Sequence, residues 1–132
     1  MSAGPLPEVE RIARLRLART DGVGPVSHGQ LMKRFGSAVA AIEALTGMGK
    51  PLADPALVAE EVELAAAAGA RHLLLGEPDY PPLLAELADP PPVLVAAGDA
   101  SLAARPVVAM VGARNASAAG RGLALEMAEA LG

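Results

Sequence analysis

The segment whose residue types best suit a binding or catalytic role is the loop and helix start at residues 111–120. Its sequence is Val-Gly-Ala-Arg-Asn-Ala-Ser-Ala-Ala-Gly. Gly112 permits a sharp backbone turn and leaves room for a ligand close to the main chain. Ser117 is placed to cap a helix whose first N–H groups would face the loop, and such a terminus attracts anions. Arg114 adds a planar guanidinium that suits phosphate oxygens, and Gly120 would allow close helix packing. Together these residues predict a phosphate pocket.

The spacing in this loop differs from two common phosphate-binding motifs. The Gly-x-Gly-x-x-Gly dinucleotide fingerprint is missing because Arg114 occupies the position of its second glycine, and no Gly-Lys-Ser/Thr of a P-loop is present. The spacing alone leaves two interpretations open, a phosphate site or an ordinary strand–helix turn with a solvated arginine. Ser117 has no Gly-x-Ser-x-Gly elbow and no evident base, so capping is favoured over nucleophilic catalysis.

The histidines do not point to a metal site. His28 and His72 are far apart in the sequence, and the chain has no cysteine. Neither histidine has a neighbouring ligand of the kind that zinc sites use. We therefore expect no metal. We also expect no cofactor and no enzymatic activity.

Other polar and glycine-rich groups have two interpretations each. The turn Gly-Val-Gly-Pro at residues 22–25 could bind duplex phosphate through its amides, but without a lysine near its tip a structural turn is favoured. The arginines of the first helix are expected to form a solvated face beside Glu8 and Glu10. Tyr80 is expected to pack against its proline-rich turn rather than stack on a base. The glutamates within residues 60–63 are expected to form a solvated helix edge.

Short helices joined by tight turns are predicted to position the first half of the chain, residues 1–68. Gly22 is expected to end the first helix. Ser27, with a glutamine three residues later, predicts a capping box that starts the second helix. Ser37 predicts the start of the third helix, and Asp54 before a proline predicts the start of the fourth.

Strands are predicted to position the loop in the second half. Apolar runs at residues 72–75 and 93–95 predict two strands, and the run at residues 106–111 predicts a third. The third run is apolar throughout, which is typical of a parallel strand covered on both faces. With the loop and a helix over residues 118–131, it forms the opening unit of a doubly wound α/β domain. Since only one such unit is present, either the chain is a fragment of a longer domain or a partner supplies the missing strands, and we favour a fragment.

Composition and charge narrow the function classes. The chain is 52% hydrophobic and 20% charged, which is typical of a folded domain and excludes a disordered one. Its net charge is −4, which argues against a general electrostatic grip on nucleic acid. Any phosphate contact in the acidic second half must therefore be local. No apolar run is long enough to span a membrane and no signal peptide is evident, so a cytoplasmic protein is expected.

Several blocks in this order resemble the DNA-processing protein A (DprA/Smf) family. The loop matches its Val-Gly-x-Arg-x-x-Ser-x-x-Gly pattern after an apolar strand. The upstream blocks at residues 80–84, Tyr-Pro-Pro-Leu-Leu, and 89–94, Asp-Pro-Pro-Pro-Val-Leu, resemble the approach of that family to its sheet. The opening segments at residues 22–25 and 35–37 are similar to its N-terminal SAM-like or helix-hairpin-helix module.

The resemblance implies a fold and a function. The fold is a helical SAM-like module over residues 1–68, followed over residues 69–132 by the start of an extended Rossmann-like domain with a parallel sheet. The function is sequence-tolerant binding and protection of single-stranded DNA, with loading of the RecA recombinase, during natural transformation and recombination. The family often has an aromatic residue before the last glycine of the motif, where this chain has Ala119. The candidate DNA-binding residues are Gly112, Arg114, Asn115, Ser117 and Gly120.

Two other functions remain open from the sequence. A Rossmann-like domain of this kind could instead be a nucleotide-binding hydrolase, or the helical part could be a protein-interaction module. Under the favoured interpretation the partners are single-stranded DNA and RecA. A homodimer would form through a region after residue 132, and no membrane partner is expected.

Overall fold

The computed structural model describes residues 4–132. Its elements follow one another in the order of the chain, with four helices first and a two-stranded sheet after them. In sequence they are α1 (Glu8–Arg19), α2 (Pro25–Phe35), α3 (Ala38–Gly47), α4 (Pro55–Ala67), β1 (Ala70–Leu74), α5 (Pro82–Ala85), β2 (Val93–Ala97), a 3-10 helix (Ala100–Ala104) and α6 (Ala118–Leu131).

The helix boundaries follow from local capping. Ser37 accepts a hydrogen bond from the amide of Ala40 at the start of α3, and Asp54 does the same for Ala56 at the start of α4. Gly36 ends α2 with a φ of 81°, a left-handed conformation that favours glycine. These predicted boundaries are confirmed.

The predicted start of α2 at Ser27 is wrong. The helix begins two residues earlier at Pro25, with Gly24 as its N-cap. Proline at the first helical position has a backbone angle that suits a helix and lacks an N–H that would otherwise need a partner. Ser27 therefore lies inside the first turn and is not the cap.

Small side chains let α1, α2 and α3 pack closely. Leu17 of α1 and Ala38 and Ala41 of α3 are fully buried, and Ala13 adjoins them. Partly buried apolar residues from α2, α3 and the loop after it surround this cluster. This cluster is the part of the core that lies between the helices, where burial of apolar surface is the main stabilising term.

The two strands form an antiparallel pair. In its register, His72 lies opposite Val95 and Leu74 opposite Val93. The inner positions Leu73 and Leu74 are buried, as are Leu15 of α1 and Val58 of α4, and β1 packs against α4 while β2 packs against α1. The protein is thus of mixed α/β class, a helical module followed by a small antiparallel sheet. None of the helices in the described part of the chain has the length and apolar character that crossing a bilayer requires.

The third predicted strand does not form. Residues 106–111 have no strand assignment, and no parallel strand pair occurs within residues 4–132. A strand needs a hydrogen-bonded neighbour, and here β1 and β2 pair with each other. The apolar run consequently remains exposed, with Val107 at 64% and Val111 at 98% of its possible exposure.

Candidate nucleic-acid interface

The predicted phosphate loop lies at the start of α6. Arg114 and Asn115 form a turn, and Ser117 is the N-cap of the helix. Its hydroxyl accepts a hydrogen bond from the amide of Gly120 at 3.1 Å. The capping role predicted for Ser117 is confirmed. Of the five candidate residues, which are close together in the sequence itself, Gly112, Arg114 and Gly120 line a groove at this loop, and Asn115 and Ser117 do not.

The two glycines of the motif have different surroundings. A side chain added at Gly112 would meet no atom within 4 Å, so the main chain there faces open space. A Cβ at Gly120 would lie 3.3 Å from the hydroxyl oxygen of Ser117. The close neighbour of Gly120 is therefore the capping serine and not a packed strand, which is a different reason for glycine from the one predicted.

Arg114 lines an open groove of about 640 Å³ between the loop, α6 and the preceding segment. Gly112 and Gly120 line the same groove. Within residues 4–132 the guanidinium of Arg114 has no carboxylate and no carbonyl oxygen as a hydrogen-bonding partner. The groove is not filled by protein atoms at the loop, so a ligand can approach both the main chain and this charge.

A second arginine, which the sequence interpretation did not include, also lines this groove. The Nε of Arg121 donates to the carbonyl oxygen of Ala116 at 3.2 Å, so its side chain folds back toward the loop. Side chains in a helix tilt toward its N-terminus, and Arg121 lies one turn after Ser117. A basic residue in the first turn after a capped loop was the signal that could have identified it.

The remaining wall of the groove is apolar and open. Val108 and Met110 line one side of it, while Leu123, Met127 and Leu131 line the other. Leu123 keeps 59% of its exposure and Val108 keeps 68%. In the described part of the chain, no other helix or strand packs extensively against α6. The interface therefore combines two guanidiniums at one end with an apolar face along its length.

The glycine-rich turn in the helical module has its own hydrogen bonds. Gly22 has a φ of 79°, in the left-handed region that favours glycine. The amide of Val23 donates to the carbonyl oxygen of Thr20 at 3.1 Å and is not free for a phosphate. The geometry agrees with a structural turn that leads from α1 into α2.

The arginines of α1 do not form the solvated face that was expected. Arg11 pairs with the carboxylate of Glu77, and Arg14 donates to the carbonyl oxygen of Leu75 at 3.1 Å. Arg16 donates to the carbonyl oxygen of Ala53 at 2.8 Å. Each guanidinium is held by a group more than 30 residues away in sequence, which spacing within one helix cannot reveal.

The expectation of a solvated edge is likewise wrong for Glu61. Its carboxylate accepts two hydrogen bonds from Arg19, at 2.8 and 2.7 Å, and one from His72 at 2.9 Å. The hydrogen bonds from Arg19 have the largest effect and, despite opposing burial, lower the pKa of Glu61 to about 2. This carboxylate therefore stays ionised and links three elements.

Glu10 is a second carboxylate with a structural role. It accepts hydrogen bonds from the amides of Ala38 and Val39, at 2.8 and 3.2 Å, and from Arg14. Burial raises its pKa, but these hydrogen bonds outweigh burial and the net pKa lies below the ordinary value. Glu10 thus satisfies the first amides of α3 from a neighbouring helix.

Tyr80 and the histidines are structural, as predicted for the tyrosine. The hydroxyl of Tyr80 donates to the carbonyl oxygen of Pro91 at 2.7 Å, and burial raises its pKa. The ring of His28 is buried and donates from Nε2 to the carbonyl oxygen of Arg14 at 3.2 Å. Burial lowers the pKa of His28, which favours the neutral ring.

Two protein-family models match the chain in sequence order. Residues 8–66 are similar to the DprA-like N-terminal HHH domain, and residues 71–132 are similar to DNA recombination-mediator protein A. The first match covers α1 to α4 and the second covers both strands, the candidate loop and α6. No curated protein matches the chain.

Proposed function

Because the chain belongs to the DNA recombination-mediator protein A (DprA/Smf) family, whose domains imply a DNA-processing role in recombination and transformation, we propose that it binds single-stranded DNA at the loop of residues 112–120. The DNA-binding residues are Gly112, Arg114, Asn115, Ser117 and Gly120, and Arg121 adds a second guanidinium. The observation that carries this proposal is the side chain of Arg114 on an open groove, beside main chain that a ligand can approach.

The chemistry of this loop suits a phosphodiester. Arg114 offers paired N–H donors at a spacing that matches two phosphate oxygens, and the N-terminus of α6 adds the positive end of a helix dipole. Arg121, in the first turn of α6, lines the same groove and provides a second cation for the DNA backbone. Such contacts carry no information about base sequence, so binding is sequence-tolerant.

The acidic net charge of the chain is compatible with DNA binding at this loop. Non-specific binding to DNA depends on the overall charge of a protein. The net charge of this chain is −4, which does not favour such binding. Two guanidiniums on one groove provide a local field of the opposite sign. Binding at this groove therefore needs contacts with only a few phosphates.

Similarity to the family supports a wider role. In this proposal the protein protects single-stranded DNA and helps RecA to load during natural transformation and recombination, in the cytoplasm and without catalysis or a cofactor. Residues 69–132 would belong to a Rossmann-like domain in which residues 106–111 gain strand neighbours and form a parallel sheet. The exposed apolar wall of the groove supports this, because an exposed apolar surface of this size marks a contact with other protein surface. The proposal includes a homodimer of this protein.

The test is Arg114→Ala in the full-length protein, with Arg105→Ala as a matched control that removes the same charge outside the loop. Loss of a charge-assisted hydrogen bond predicts about tenfold to a hundredfold weaker binding of a labelled oligothymidylate. The slope of log affinity against log salt should fall by about 0.7 for one lost phosphate contact. Arg105→Ala should change neither quantity appreciably.

Two results would redirect the proposal. Unchanged affinity and salt slope in Arg114→Ala would reject the loop as the DNA site and favour a protein-interaction module. Turnover in a panel of nucleotides, lost in the same variant, would identify a nucleotide hydrolase instead. Arg114→Lys separates charge from shape, because lysine keeps the charge but cannot form a bidentate pair.

A further inference from the structure

A second cleft lies between α2 and the proline-rich segment of residues 88–92. Its volume is about 480 Å³, within the range of roughly 300–1,000 Å³ that small-molecule sites occupy. One wall is the face of α2 between Pro25 and Lys33, and the buried ring of His28 and the side chain of Leu75 also line the cleft. Both family-matched regions of the chain therefore contribute to it.

Consecutive prolines at residues 90–92 make the other wall rigid. The hydroxyl of Tyr80 donates to the carbonyl oxygen of Pro91 at 2.7 Å, and the amide of Leu75 donates to that of Pro92 at 3.1 Å. Each proline ring also fixes its own backbone angle φ. This wall is formed before a ligand arrives, so binding there does not have to order it.

Gly29, in the middle of α2, has no role in the packing of the protein itself. Glycine is the poorest helix former after proline. The φ of Gly29 is not positive, and a Cβ added there would meet no atom within 4 Å, so alanine would fit and favour the helix. The open space beside Gly29 belongs to the cleft. A flat ligand that lies against the helix backbone would account for the glycine.

The cleft has charged side chains of opposite sign on its two walls. Lys33, on α2, is exposed and takes part in none of the salt bridges within residues 4–132. Asp89, on the proline wall, is exposed and likewise has no cationic partner among those residues. Val26, Met32 and Pro90 add apolar surface. A ligand that fits has a negative group, a flat apolar body and N–H donors, and a nucleotide combines all three.

The carboxylate of Asp89 determines the orientation of such a nucleotide. It repels a phosphate, which therefore belongs near Lys33, and the base then lies toward Asp89. A carboxylate accepts hydrogen bonds from amino groups such as the N4 amino group of cytosine, whereas thymine has no amino group. The cleft consequently favours bases that have an amino group.

We propose that this cleft binds one unpaired base of single-stranded DNA and prefers cytosine to thymine. The inference rests on the proposed function and deepens it, because contacts between the loop of residues 112–120 and phosphates do not distinguish a single strand from a duplex. A base can lie between Gly29 and the proline wall only when it is unstacked and unpaired. The cleft therefore supplies selectivity for single strands.

The first test compares labelled oligodeoxycytidylate and oligothymidylate of equal length, at mildly alkaline pH where cytosine is not protonated. The full-length protein should bind the cytosine oligomer about threefold to tenfold more tightly, the effect of one net hydrogen bond. Asp89→Ala should remove this preference. Asp21→Ala is the matched control, because it removes the same charge outside the cleft and should leave the ratio of the two affinities unchanged. Fluorescence anisotropy measures all four affinities.

The second test fills the cleft. Gly29→Leu should lower the affinity for the cytosine oligomer to that for the thymine oligomer, without a lower thermal midpoint, since leucine is the better helix former. Gly47→Leu places the same side chain at an open helix position outside the cleft and should change neither affinity. In the wild-type protein, the cytosine oligomer should shift the amide NMR signals of Gly29, Lys33 and Asp89.

The outcomes separate this inference from the proposal for the loop. Arg114→Ala should weaken the binding of both oligomers equally and preserve their ratio. Tight binding without a preference for cytosine, or a preference that persists in Asp89→Ala and Gly29→Leu, would overturn the inference and leave the loop as the DNA site. If the wild-type protein binds neither oligomer, the proposed function fails as well. Free deoxycytidine monophosphate that binds the cleft while the oligomers show no preference would indicate a site for free nucleotides and also overturn the inference.

Discussion

Helices α3 and α6 begin with the same hydrogen bond and end in different environments. Ser37 accepts from the amide of Ala40, and Ser117 accepts from the amide of Gly120, each at 3.1 Å. Yet α3 buries Ala38 and Ala41 completely, whereas α6 buries no residue. Both helices are rich in alanine, the best helix former, so a lack of helix propensity does not explain the difference in burial.

The difference shows that helix formation and burial have separate causes. A serine cap acts within three residues and needs only local sequence. Burial needs partners, which α3 has in α1 and α2 and which α6 lacks within the described residues. Helices α1 to α4 and the two strands therefore contain most of the buried apolar residues, whereas the apolar side chains of α6 are exposed among the described residues.

A pair of leucine truncations gives the largest expected contrast between the two regions. Leu17→Ala, at a fully buried site, should lower the free energy of unfolding by about 2–5 kcal/mol. Leu123→Ala, at a site with 59% exposure, should change it by less than about 0.5 kcal/mol. Urea denaturation followed by circular dichroism measures both. A comparable loss in the two variants would mean that α6 has a packing partner, and the contrast between the regions would disappear.

Low pH gives a second test of the contrast in stability between the helical half and α6, because carboxylates with structural roles lie in the helical half. The pKa of Glu61 in the folded protein is about 2, below its ordinary value of 4.5. The unfolded chain consequently binds more protons in this range, so the stabilisation is full above pH 4.5 and is lost as the pH falls toward 2. We expect a loss on the order of 2 kcal/mol over that window, measured by urea denaturation at successive pH values.

Glu61→Gln serves as the reference for this pH dependence. Glutamine has a similar shape and does not titrate, so the variant should be less stable at pH 7 and should lose stability less steeply in acid. A pH profile that keeps the wild-type slope in Glu61→Gln would remove Glu61 from the explanation. The carboxylate of Glu10, whose pKa is also lowered, would then account for the slope.

The matched serine caps give the smallest effect. Ser37→Ala should lower global stability by about 1 kcal/mol, because the cap of α3 belongs to the cooperative core. Ser117→Ala removes an equivalent hydrogen bond but should only reduce the helicity of α6, seen in its Cα chemical shifts. The thermal midpoint should fall in the first variant and stay constant in the second. A lower midpoint in Ser117→Ala would show that α6 unfolds together with the core.

Much of the fold was predictable from signals that act over a few residues. Ser37, Asp54 and Gly36 marked their helix ends correctly, and the apolar runs at residues 72–75 and 93–95 marked the two strands. The start of α2 was misplaced because two local signals competed, and Pro25 prevailed over Ser27. The cap at Ser117 was predicted correctly because its motif is contiguous, and the DNA-binding role of the loop residues stays a prediction.

Other features were hidden because they join distant parts of the chain. The expected solvated arginines of α1 hold Glu77 and Leu75, more than 60 residues away. Arg121 was overlooked because its relevance lies in the direction of its side chain and not in its type. The prediction that residues 106–111 form a buried parallel strand was wrong, because within the described residues this run has no strand to pair with and stays exposed.

The sequence by itself determined where the helices begin, which runs extend as β1 and β2, and which residues surround the loop of residues 112–120. Each of these depends on backbone geometry and hydrogen bonds between near neighbours. Only the tertiary structure decided that the strands pair antiparallel, that the arginines of α1 fasten them to the helices, and that α6 stands apart. The physical reason is that burial and ion pairing depend on distances in space, and a linear pattern does not specify which of several charged partners will meet.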